Sequence, residues 1–113
     1  MVLAEFSMYP TDKGASVSQY VAPIIDIIDK SGLSYTLTPM GTVIEGQWGD
    51  VMNVISACFK QLEPLSERIA CQIKIDYRRG ENSRMHSKIE KVAQLLGREV
   101  MHSTSPHNKT AQE

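Results

Sequence analysis

One apolar spacing occurs twice in this chain. Val17, Tyr20, Val21, Ile24, Ile25 and Ile28 fall at i, i+3, i+4, i+7, i+8 and i+11, and Val51, Val54, Ile55, Cys58, Phe59 and Leu62 repeat the pattern 34 residues later. Each set draws one apolar stripe along an α-helix whose remaining surface is polar. A helix of this kind buries one side and keeps the other in water, so both need an apolar surface to lie on. The segments between and around the two stripes have to supply it.

Those segments read as strands. Val2, Ala4, Phe6 and Met8 alternate with Glu5 and Ser7, while Leu3 and Tyr9 blur the contrast, which predicts a strand with one buried and one mixed side that Pro10 ends. Residues 34–38 and 41–46 are rich in Tyr, Thr, Val and Ile, and the short Pro39-Met40-Gly41 link between them implies an antiparallel hairpin. Residues 68–78 alternate cleanly, with Ile69, Cys71, Ile73, Ile75 and Tyr77 against Arg68, Gln72, Lys74, Asp76 and Arg78.

Local signals place the helix ends. Ser16 with Gln19 has the form of a capping box, which puts the first helix start at Ser16, and Ser31-Gly32 stops it. Pro23 conflicts with a regular interior, so a kink there or a regular start near Ala22 is expected. The second helix follows a turn at residues 46–50 and ends at Glu63-Pro64. Asn82-Ser83 is expected to cap a third helix with Met85, Ile89, Val92, Ala93 and Leu96 inward and Gly97 as its stop. Residues 1–98 then form one domain, and the polar stretch 99–113 is expected to be a disordered tail.

The order strand, helix, strand, strand, helix, strand with a C-terminal helix predicts an α+β, ferredoxin-like βαββαβ sandwich. Both helices pack on one face of a four-stranded antiparallel sheet. The other face is left without a helix cover and carries Glu5, Ser7, Thr36, Thr38, Gln72, Lys74 and Asp76. Such a surface suits a polar heterocycle or the sheet of a second subunit.

Composition narrows the function. A net charge of −1 argues against nucleic acid and anionic membrane as partners. No apolar run reaches the length of a membrane span, and the N-terminus lacks the basic flank of a signal peptide, so a cytoplasmic protein is expected. Cys58 and Cys71 have no metal-type spacing and are expected as two small core residues. His86, His102 and His107 do not form a metal set, and no nucleophile elbow, phosphate loop or HExxH motif is present, so neither metal nor cofactor is expected.

Three spans taken together are similar to a known family. Ser16-Val17-Ser18 with Tyr20-Val21-Ala22, the run Thr38-Pro39-Met40-Gly41-Thr42-Val43-Ile44-Glu45-Gly46, and Lys74-Ile75-Asp76 with Arg78-Arg79 resemble the thiamine-binding protein family, the MTH1187/YkoF-like group. The resemblance extends over about residues 2–97. It implies a ferredoxin-like fold, homodimers and often homotetramers, binding of thiamine or its hydroxymethylpyrimidine part, and no catalytic activity. Tyr77 departs from the family pattern, which usually has a second Asp there.

The chemistry of such a ligand selects candidate contacts. An aminopyrimidine offers a donor amine and ring acceptors, which Ser7, Thr38 and Thr42 complement together with the backbone around Gly41. A thiazolium is a permanent cation suited to an aromatic face or a carboxylate, from Trp48, Tyr35 or Glu5. Met40 pads the ring as an adaptable apolar wall. Ser16 and Ser18 read as capping residues at a helix start, a place that also attracts polar ligands, and Ser18 joins the candidates. Each has a plainer reading: Thr38 to Thr42 as a hairpin turn, Trp48 as a core plug, Glu5 and Ser7 as solvated or subunit-facing. Two other functional classes stay open on the residues alone, a small dimeric ferredoxin-like enzyme of the cofactor-free monooxygenase type and an amino-acid-sensing regulatory module.

Overall fold

A computed structural model of the chain describes residues 1–80, 83, 85 and 87–100. In chain order they form β1 (Val2–Pro10), α1 (Ser18–Lys30), β2 (Ser34–Thr38), β3 (Gly41–Gly46), α2 (Trp48–Leu62), a single 3-10 turn (Glu63–Leu65), β4 (Ile69–Tyr77) and α3 (Ser87–Leu96). The sheet is antiparallel in the order β2-β3-β1-β4. This is the ferredoxin-like α+β sandwich with a C-terminal helix that the element order predicts. The expected cap residue Asn82, the three histidines and residues 101–113 of the expected tail lie outside the described residues.

The core follows from the alternation of β1. Val2, Ala4, Phe6 and Met8 are buried beneath the helices together with Ile24, Ile28, Ile44, Val51, Val54, Ile55, Cys58 and Leu62. Leu62 and Ile28 are wholly buried, and truncating either to Ala removes transfer energy and opens a cavity, about 2–5 kcal/mol in sites of this kind. The opposite face carries Glu5, Ser7, Thr36, Thr38, Gln72, Lys74 and Asp76, because residues paired across a ladder share a side of the sheet.

Several local expectations are corrected. The capping box does not form: α1 starts at Ser18, and Val17 stands at its N-cap with no side-chain bond. Pro23 sits inside the helix, where it deletes the bond to the Gln19 carbonyl. Helix α2 begins at Trp48, earlier than the Gly46–Asp50 turn suggests. Strand β1 includes Pro10, paired with Ile69. Helix α3 starts at Ser87, and its Val92 and Leu96, expected inward, are exposed because nothing in the described chain packs over them. Its stop at Gly97 holds: the Arg98 N–H donates to the Ala93 carbonyl and the Gly97 N–H to Gln94, the paired bonds of a Schellman ending.

Ser83 and Met85, described residues after β4, lie against the sheet face that the helices leave bare. Ser83 Oγ donates to Glu45 Oε1 at 2.6 Å, and Thr36 Oγ1 donates to the Met85 sulfur at 3.4 Å. Glu45 is 5% exposed as a result. Bare of helices, that face is therefore partly covered at its β2–β3 end.

The two cysteines differ. Cys58 is in the core, where burial pushes its thiol up to about 11, whereas Cys71 is exposed on β4 and does not fill the core as expected. The helices stop short of β4, so its apolar face stays largely in solvent. A thiol reagent should therefore label Cys71 in the folded chain and Cys58 only after denaturant is added; equal labelling rates in native buffer would contradict this packing.

Far from these, Asp12 ties the β1–α1 loop to the start of β4. It accepts from Ser66 Oγ at 2.6 Å and from the Glu67 N–H at 2.9 Å, and these bonds hold its carboxyl below the ordinary 3.8. A depressed carboxylate contributes stability that is present above its unfolded value and lost as pH falls through the folded one. Acid unfolding of the wild type should accordingly show a dependence on pH below about 4 that Asp12→Asn reduces, read by circular dichroism across an acid titration.

Candidate ligand-binding site

The site begins with a mismatch of strand lengths. On one side β1 pairs with β4 along its whole length, Val2 with Tyr77 through Pro10 with Ile69. On the other side it pairs with β3 only from Val2 with Gly46 to Phe6 with Thr42. Beyond Phe6, β3 has turned away into the hairpin with β2, and Ser7, Met8 and Tyr9 have no strand beside them on that side.

Backbone polarity follows from the register. At one end the Arg78 N–H donates to the Met1 carbonyl, and at the other the Thr11 N–H donates to the Arg68 carbonyl. In an antiparallel ladder, residues alternate in the neighbour they bond. Odd-numbered residues of β1 thus bond β4, and Val2, Ala4 and Phe6 bond β3. Met8 is next in that series, and its N–H and C=O point into the space that β3 has left. Pro10 follows, and having no N–H it adds no further donor there.

That space is a cleft of about 690 Å³. Its floor is Ser7, Met8 and Tyr9 with Ala70 and Gln72 of β4; its roof is Val17 at the N-cap and Val21, Ile24 and Ile25 of α1; and its far wall is the hairpin from Leu37 to Thr42. The roof explains why the stripe of α1 is fully covered only at Ile24 and Ile28. In its first half Tyr20 packs against the edge of the core, whereas Val21 lines the cleft instead.

The hairpin is held by its own hydroxyl. Thr38 Oγ1 donates to the Gly41 carbonyl at 2.9 Å and accepts from the Met40 N–H at 3.2 Å, closing a turn over Pro39 and Met40 without a residue at positive φ in the middle. Gly41 then passes so close to β1 that a Cβ there would lie 2.8 Å from the Phe6 carbonyl oxygen. Glycine is required for that approach. Met40 is left 85% exposed at the lip of the cleft.

The structure brings together most of the residues named from the sequence and separates others. Ser7, Thr38, Met40, Gly41 and Thr42 all line the cleft. Thr42 lies on the helix side of the sheet, opposite to Ser7 and Thr38, and is nearly buried at 5%. Glu5 lines an adjoining hollow of about 180 Å³ on the other face, which shares Phe6, Ser7, Met40 and Gln72 with the cleft and also has Lys74 on its wall. Trp48 is 56% exposed at the start of α2 and is not part of the cleft lining. Ser18 is exposed at the start of α1 and is likewise outside the lining. The Tyr35 hydroxyl donates to Asp29 Oδ1 at 2.7 Å, which raises its pKa and occupies it away from the cleft.

Sequence reasoning placed Gln72 on the uncovered face without naming it as a ligand contact, and it missed Tyr9, the α1 residues of the roof and the Met8 backbone. The signal was present as a length difference, since a strand read over residues 2–9 cannot be matched along its whole length by one read over 41–46. A broader depression of about 740 Å³ runs between α1 and α2 past Asp26, Lys30, Asp50 and Asn53, but it is an open groove that includes none of the sequence candidates.

A ferredoxin-like domain with a half-apolar cleft beside its central strand is the class that fold and site define. The chain belongs to the thiamine-binding protein family, whose pattern matches residues 4–93. It is 31% identical over 94 residues to the UPF0045 protein MJ1052 of Methanocaldococcus jannaschii, spanning 83% of this chain and 94% of that one. It is 36% identical over 102 residues to the UPF0045 protein YqgV of Bacillus subtilis, 85% of this chain and 98% of the relative. The crystal structure of MJ1052 superposes with a TM-score of 0.74 over 82% of this chain and 96% of its own, at 30% identity. A candidate thiamine biosynthesis or salvage protein of Thermotoga maritima shares the fold with a TM-score of 0.70 over 80% of this chain and 97% of its own, at 23% identity.

Gly41→Ala should destabilise the chain by about 1–3 kcal/mol, because the added methyl forces the hairpin away from Phe6. Urea unfolding checks this; a change within about 0.5 kcal/mol of zero would mean that the turn relaxes without loss.

Proposed function

We propose that this chain binds thiamine through its aminopyrimidine end in the cleft beside Met8, acting without catalysis as a carrier, store or sensor. The observation that carries the reading is the vacated backbone edge of β1. An amino group beside a ring nitrogen is a donor next to an acceptor, and the Met8 C=O and N–H offer the complementary pair. Thr42 and Ser7 flank this edge with hydroxyls, and Val21, Ile25 and Leu37 supply apolar walls for the ring. The volume lies in the range of small-molecule sites, about 300–1,000 Å³.

The cationic thiazolium would extend toward Tyr9 and the hollow beneath Glu5. A cation over the face of an aromatic ring contributes about 0.5–2 kcal/mol. This gives Tyr9 the part that sequence reasoning offered to Trp48 or Tyr35. Met40 at the lip provides a flexible wall that follows the ligand.

Binding rather than turnover is favoured by the chemistry of the lining. Among the residues that line the cleft, Tyr9 is the one titratable side chain, whereas acid–base catalysis needs a positioned proton donor or acceptor with a pKa near the working pH. The Trp that a cofactor-free oxygenase would place inside its cavity stands outside. Two unpaired cysteines, one of them exposed, suit a reducing cytoplasm. No helix among the described residues is long and apolar enough to cross a membrane. Self-association into a homodimer or homotetramer belongs to the same reading, since α3 leaves Val92, Leu95 and Leu96 in solvent.

Isothermal titration with thiamine and with free hydroxymethylpyrimidine tests the reading. Both should bind, the free pyrimidine more weakly. Thr42→Val should weaken both by about 3- to 10-fold through loss of one hydrogen bond. Val21→Trp, which fills the cleft from its roof, should abolish both. Absence of heat and of thermal shift with either compound at millimolar concentration would refute the proposal.

A further inference from the structure

We infer that the site takes a phosphate ester in preference to the free alcohol, with the phosphate held against Lys74 and Gln72 in the hollow beside the cleft. The inference rests on the reading that thiamine is the guest and names the form of it that fits.

The cleft opens onto both faces of the sheet. Strand β3 leaves β1 after the pairing of Phe6 with Thr42, so the sheet has a gap beside Ser7, Met8 and Tyr9. Residues of both faces line that gap: Met8 and Thr42 belong to the helix side, and Ser7, Thr38 and Gln72 to the opposite one. The hollow of about 180 Å³ continues from there along the face without helices, past Ser7 and Gln72 to Glu5 and Lys74. A flat ring system seated under α1 therefore has an exit for its tail through the sheet. The tail emerges between charged side chains.

The hollow presents one charge of each sign. Glu5 and Lys74 are partners in the ladder of β1 and β4, and Ser7 with Gln72 is the next pair on the same face. Opposite charges placed across a ladder attract one another. Here the Glu5 carboxylate and the Lys74 ammonium nonetheless form no ion pair, and the Gln72 amide has no hydrogen-bond partner among the described residues. Asp76, the next acidic residue on this face of β4, lies outside the hollow and has a partner of its own.

A carboxylate and an ammonium held apart across a small volume match a guest that carries both charges. The thiazolium supplies the cation for Glu5. A phosphate on its hydroxyethyl arm supplies the anion for Lys74. Ladder partners stand about 5 Å apart, a spacing that a two-carbon arm and its ester oxygen bridge. Lys74 then donates to the phosphate oxygens and the Gln72 amide adds a second donor. The free alcohol leaves the ammonium to water and sets the thiazolium near a like charge with nothing to offset it. Both charged side chains are exposed, so solvent screening keeps the gain modest.

Isothermal titration of the full chain with thiamine and with thiamine monophosphate tests the inference. At low ionic strength the monophosphate should bind about fivefold more tightly. The ratio should shrink toward one in about 1 M salt, where screening acts over roughly 3 Å. Lys74→Gln should bring the ratio to one or below, and Lys74→Arg should keep it. Circular dichroism establishes that each variant is folded. A chain that binds thiamine but takes the monophosphate no more tightly, or a preference that survives Lys74→Gln, would overturn the inference and leave the thiamine reading standing. Absence of binding by the monophosphate, by thiamine and by the free pyrimidine would defeat that reading and this inference together.

Discussion

The central strand is longer than the neighbour that should cover it, and the site depends on this. Nine residues of β1 are paired along β4 but only the first part is paired along β3. A buried backbone edge is costly unless its N–H and C=O groups find partners. The chain keeps the unmatched portion short, placing Met8 alone in the gap and following it with a proline that has no donor to lose. What remains is one donor and one acceptor in a partly apolar setting, a small need that water or a ligand can meet.

The hairpin opposite is shaped by the same constraint. It has to leave β1 sharply, and it does so by using the Thr38 hydroxyl twice and by removing the side chain at residue 41. The Thr-Pro-Met-Gly-Thr run is thus a piece of backbone engineering before it is a set of ligand contacts. Thr38 has its proton committed to the turn, so Ser7 and Thr42 are the hydroxyls better placed to answer a guest. Electrostatically the cleft is quiet, with charge confined to Glu5 and Lys74 in the adjoining hollow.

Much of this architecture was legible in the sequence. The twin helical stripes, the alternation of β1 and β4 and the Pro-Met-Gly link determine element order, sheet faces and the hairpin. Periodicity, however, reports which side of a helix is apolar and not how far that side is covered. Val17 and Val21 have the same place in their stripe as Val51 and Ile55, yet they roof a cleft while the latter fill the core. Cys71 alternates as cleanly as any buried strand residue and is exposed, because coverage depends on where the helices stop. Ser16 and Gln19 had the right spacing for a cap, but the helix started two residues later. Trp48 joined the candidates for its ring, which spacing alone could not place at the outer end of α2. Long-range contacts such as Ser83 with Glu45 leave no local trace.

The start of α1 carries one more consequence. Its first turn lacks a side-chain cap, Pro23 removes a hydrogen bond from the next, and Val17 and Val21 face the open volume of the cleft while only Tyr20 rests against the core. Helical turns of this kind open at lower free energy than the rest of a fold. The roof of the cleft is therefore its softest wall, fastened at Ile24 and Ile28 and loose toward Ser18. A guest that fills the space would replace missing packing, so its affinity includes the work of quieting a turn that is only half secured when the cleft is empty.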